Sequence, residues 1–89
     1  MSPLEAPLLP VKEDARYLPL LAQTEENWRE NFPHLVMRLE AKNLLQKILE
    51  SAIELTIISL QQCEKAGLAP DQAREIAYEN LVPPGANEQ

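Results

Sequence analysis

Hydrophobic positions fall into four stretches, and the longest sets the plan of the chain. From Pro33 to Ala66 no Gly or Pro follows the first residue. On a wheel of 100° per residue, Leu35, Met37, Ala41, Leu44, Leu45, Ile48, Leu49, Ala52, Ile53, Leu55, Leu60, Cys63 and Ala66 share one half-circle. Glu40, Asn43, Gln46, Lys47, Glu50, Ser51, Glu54, Gln61, Glu64 and Lys65 fill the other half. The pattern predicts one amphipathic helix over 33–66. Its apolar arc is wider than a two-stranded coiled-coil seam, so it calls for at least two neighbours. Val36, Leu39, Ile57 and Ile58 stray from the arc, and Arg38, Lys42, Thr56, Ser59 and Gln62 interrupt it.

The flanking stretches are shorter. Pro3, Pro7, Pro10 and Pro19 fix φ and remove backbone donors, which predicts a Pro-rich extended arm over 1–22. Leu4, Leu8, Leu9, Val11, Tyr17, Leu18, Leu20 and Leu21 give that arm enough to bury to serve as a strap. Thr24 reads as the N-cap of a short helix over 25–31, which places Trp28 and Phe32 on one side. Gly67 suits a helix C-terminus, Leu68 the apolar contact beside it, and Pro70 the first residue of a helix over 70–82. Pro83, Pro84 and Gly85 then open a polar tail over 83–89. The expected fold is all-α, with a helical domain over 23–82.

Size bears on assembly. A continuous helix over 33–66 would be about 50 Å long, whereas a compact chain of this length has a radius of gyration near 12 Å. Its own short elements cannot cover such a rod, so it must break or be covered by a second copy. The reading adopted is a homodimer with antiparallel long helices completing a helical bundle. Its self-association residues are Leu44, Leu45, Ile48, Leu49, Ala52, Ile53, Leu55 and Leu60. Trp28, Phe32, Leu39, Ile57 and Ile58 are the candidate contacts to another partner.

Charge narrows the function. The net charge is −6, the long helix is balanced, and the acidity lies in its flanks. No basic stripe exists to follow a phosphate backbone, which argues against nucleic acid. The segment CEKAGLAPDQAREI resembles the helix–turn–helix of DNA-binding proteins in its small, glycine and apolar spacing. That resemblance implies a small transcriptional regulator or antitoxin-like protein acting through the Gly67 corner. The second helix, however, presents Asp71, Glu75 and Glu79 beside Gln72, Arg74 and Asn80. An acidic inhibitor of a nucleic-acid-binding protein is a third reading.

His34 and Cys63 are the only histidine and cysteine, and a continuous helix separates them by about 43 Å. No catalytic residue, cofactor site or zinc-type cluster is expected. A lone cysteine fits a reducing, cytoplasmic setting, and the N-terminus lacks the pattern of a signal peptide. No uncharged run is long enough to cross a membrane. The function expected is that of a non-enzymatic module, an adaptor or regulatory subunit, that binds itself and an unidentified protein partner.

Overall fold

The stretch expected as one helix over 33–66 is two helices. The computed structural model describes residues 9–83. In these residues the chain forms α1 (Tyr17–Asn31), α2 (Pro33–Ala41), α3 (Leu45–Lys65) and α4 (Pro70–Ala77). A 3-10 turn precedes them at Val11–Glu13, and another follows at Tyr78–Leu81. The fold is all-α with a long central helix, α3.

The break after Ala41 has a specific cause. Asn43 takes a left-handed backbone, φ 58°. Its N–H donates to the Glu40 carbonyl at 3.0 Å, and the Leu44 N–H to the Leu39 carbonyl at 2.8 Å. Such paired bonds are a Schellman cap, which satisfies carbonyls that the helix end would otherwise orphan. α3 ends in the same way. Gly67 sits at φ 84°, its N–H donates to Glu64, and the Leu68 N–H donates to Cys63. Glycine reaches this conformation without steric cost, and asparagine is among the few other residues that tolerate it.

The expected short helix over 25–31 also changes. α1 begins at Tyr17, so Pro19 lies in its first turn, where a missing N–H removes no helical bond. Thr24 is therefore no N-cap but a buried residue in mid-helix. Residues 17–22, expected in the extended arm, are helical, and residues 1–8 of that arm lie outside the described residues. Phe32 closes α1 with its N–H on the Trp28 carbonyl (2.7 Å), and Pro33 opens α2.

Two hydrophobic clusters lie along the molecule. In the first, Tyr17 and Leu20 of α1 meet Ile53, Ile57 and Leu60 of α3 and Ala73 and Ala77 of α4. In the second, Trp28 packs with Leu35, Val36 and Leu39 of α2 and Leu45, Leu49 and Ala52 of α3. Leu21 packs against both. The small side chains at 73 and 77 let α4 lie close to α3. This arrangement gives an elongated body, 47 × 23 × 20 Å, with a radius of gyration of 14.6 Å. Breaking the rod and stretching the core is how one chain covers the inner face of its long helix.

A polar latch holds the N-terminal segment on α3. The Asp14 carboxylate is buried and accepts bonds from the Arg16 backbone N–H, Arg16 Nε and Nη2, and Gln61 Nε2, all within 3.0 Å. Gln61 Nε2 also donates to the Leu9 carbonyl, and Arg16 Nη1 reaches Glu64 at 2.8 Å. The Arg16 guanidinium holds the Asp14 carboxyl well below the usual carboxylate range, against the opposing effect of burial. Gln61, on the expected polar half of the helix, is thus a buried residue with a structural task.

Candidate interaction surface

The inner and outer faces of α3 differ. Leu45, Leu49, Ala52, Ile53, Thr56, Ile57, Leu60 and Gln61 are buried, and they recur at the three- and four-residue spacing of a single stripe. Thr56 Oγ1 satisfies itself on the Ala52 carbonyl at 2.8 Å. Five residues expected at a self-association surface, Leu45, Leu49, Ala52, Ile53 and Leu60, are buried within their own chain. The same holds for three expected partner contacts. Trp28 and Ile57 are fully buried and Leu39 nearly so. Trp28 is an internal anchor, and its Nε1 donates to the Leu81 carbonyl at 2.8 Å, fastening the C-terminal turn to α1.

Of the remaining expected residues, Leu44, Ile48, Leu55 and Ile58 fall together, and Phe32 lies apart from them. Leu44 and Leu55 are 36% and 54% exposed, while Ile48 and Ile58 are half-buried. With exposed Ser51 and Gln62 they form the series 44, 48, 51, 55, 58, 62. Alternating steps of four and three define the a/d seam of a coiled coil, and this seam lies on the outer side of α3, although Ile48 also packs against the second cluster. Lys47 and Glu54 lie two turns apart on one flank of it. Burial and, after it, the Glu50 and Glu54 carboxylates push the Tyr17 phenol upward. The seam is shorter and narrower than the expected arc, because the inner residues belong to the monomer.

A second concave surface runs beside α1. It is a groove of about 470 Å³ with Leu20, Phe32 and Leu81 among its walls, Gln23, Thr24 and Asn27 along α1, and Tyr78, Val82 and Pro83 opposite. Toward Arg16 and Leu60 it continues into a shallower pocket of about 160 Å³ that shares Leu20, Gln23 and Tyr78. Phe32, an expected partner contact, lines this groove. Sequence reading passed over Tyr78 and Val82, which are 41% and 59% exposed. An aromatic and a β-branched residue four positions apart, past the end of α4, were the available signal.

Past Gly67, Arg74 on α4 is paired with Asp71, and Glu75 and Ile76 are its exposed neighbours. His34 is exposed at the start of α2, whereas Cys63 is half-buried against the first cluster on α3. Among the described residues no group of three His, Cys, Asp or Glu side chains could hold a metal ion. No helix among them is long and apolar enough to cross a membrane. No protein-family model matches the chain, and no curated protein or solved structure matches it either.

Proposed function

We propose that this protein is a non-enzymatic helical interaction module, an adaptor or regulatory subunit, that pairs with a second copy of itself through the outer face of α3. The observation that carries the reading is the outer seam of Leu44, Ile48, Ser51, Leu55, Ile58 and Gln62, exposed at 44, 51, 55 and 62 and half-buried at 48 and 58, on a helix whose inner face is already filled. Charge chooses the register. An antiparallel pair centred between Leu49 and Glu50 sets Leu44 against the partner's Leu55 and Ile48 against the partner's Ser51, and leaves Ile58 and Gln62 beyond the paired stretch of α3. The same register brings Lys47 beside the partner's Glu54, twice by symmetry. A register centred on Ile53 would instead face Glu54 with its own copy. The serine at 51 lets the two backbones approach. A single cysteine fits a reducing compartment such as the cytoplasm.

Charge reversal tests this register. Lys47→Glu places like charges together and weakens the dimer, and adding Glu54→Lys restores it. Equal dimer affinity for the single and double variants contradicts the register, and a wild type that stays monomeric up to hundreds of micromolar contradicts the reading as a whole.

A further inference from the structure

The groove beside α1 is a second surface, distinct from the α3 seam. We infer that it takes an amphipathic helical segment of another protein, one with an apolar stripe flanked by basic residues. Shape supports a helix. From Pro19 to Phe32 the α1 wall is about 20 Å long, nearly four helical turns. Leu20, Phe32, Tyr78, Leu81 and Val82 supply apolar contact along that length. Such grooves bind helices through side chains at i, i+3, i+4 and i+7.

Charge selects the partner. Glu30 continues the line of Gln23 and Asn27 along α1, and Glu26 flanks it one ridge outward. On the opposite wall Glu79 adjoins Tyr78, and Glu75 lies one turn before it. None of these four carboxylates forms an ion pair among the described residues. Arg29 is engaged by Glu25 and Glu40, and Arg74 by Asp71. By their spacing these exposed carboxylates flank the residues that line the groove on both walls, and Arg16, which lines its shallow end, is engaged by Asp14 and Glu64. Opposed fields of this kind raise the encounter rate with a cationic segment and disfavour an anionic one.

The test uses the full-length protein and a 16-residue Leu/Lys peptide with leucines at i, i+3, i+4 and i+7. Backbone amide shifts in a titration are expected at Gln23, Asn27, Tyr78 and Val82, and not at Leu44 or Leu55. A peptide with Glu in place of Lys binds at least tenfold more weakly. Val82→Ser lowers affinity severalfold while the melting curve is kept, since Val82 is 59% exposed. Glu26→Gln with Glu30→Gln lowers affinity severalfold and flattens its salt dependence. Several results overturn the inference. They are equal binding of a scrambled peptide of the same composition, shifts centred on the α3 seam, and no binding at millimolar peptide. Concentration-dependent shifts at Tyr78 and Val82 in the free protein also overturn it, because they place a second copy in the groove.

Discussion

Replacing Asp14 with alanine removes the centre of the latch that holds residues 9–16 on α3. The carboxylate is only 7% exposed and accepts four hydrogen bonds, three from Arg16 and one from Gln61. Deleting one member of a buried ion pair costs about 3–5 kcal/mol when the survivor stays buried. Here the survivors have alternatives. Arg16 is 39% exposed and keeps Glu64, and Gln61 keeps the Leu9 carbonyl. The expected loss is about 2 kcal/mol, near that of one charged hydrogen bond, or a fall in melting temperature of roughly 8–16 °C for a domain of this size. Urea unfolding measures the free energy. Its pH dependence has a defined sign, because Asp14 titrates in the folded protein well below its ordinary value of 3.8. The contribution is therefore complete above that value and is lost as pH falls through the folded value. Subtracting Asp14→Asn from wild type cancels the other carboxylates, so the difference stays flat from pH 7 to about 5 and shrinks toward about pH 2. A difference that is flat throughout, or an unchanged urea midpoint for Asp14→Ala, would refute the latch.

Three further substitutions probe separate parts of the fold. Gly67→Ala meets no atom within 4 Å of the added Cβ, so its cost is conformational alone, about 1 kcal/mol from the positive φ, read by urea unfolding. Asn43→Gly, at the matching cap, is expected to be neutral or stabilising by a few tenths of a kcal/mol, whereas Asn43→Val destabilises by about 1 kcal/mol. Trp28→Phe keeps most of the apolar volume but deletes the bond to the Leu81 carbonyl, at a cost of about 1 kcal/mol. Hydrogen exchange should locate that loss in residues 78–83, as faster exchange than in α3.

The parts of the fold legible in the sequence are those marked by residues of narrow conformational preference. Pro33 and Pro70 open helices, and Gly67 with Leu68 closes one, because these residues alter the backbone itself. Asn43 caps α2 with the same bonds that Gly67 uses, but asparagine is also common on the polar face of a helix, where a wheel places it without conflict. The phase carried the missing information. Leu35, Val36 and Leu39 are in register with Phe32, and the α3 stripe is in register with itself, yet the two are offset by roughly 60° at 3.6 residues per turn. Val36 and Leu39 stray from a single wheel because of that offset, and Ile57 because the outer residues Leu44, Ile48 and Leu55 draw the arc away from the α3 stripe. Gln61 could not be read as buried from sequence, since its partners Leu9 and Asp14 lie far away in the chain. Of the candidate surface, Leu44, Ile48, Leu55 and Ile58 were picked out for their apolar character. Only packing separates them from Leu45, Leu49, Ile53 and Leu60, which α1, α2 and α4 cover.

Self-association through the outer seam is the central claim, and the mass of the protein in solution tests it most directly. Sedimentation equilibrium of the wild type at tens to hundreds of micromolar should give twice the chain mass of 10.1 kDa. Leu55→Glu should give the single-chain mass and melt as the wild type does when diluted to monomer, because Leu55 contributes to the seam and not to the inner core. A wild type that stays at 10.1 kDa throughout this range, or a Leu55→Glu variant that still dimerises, contradicts the account.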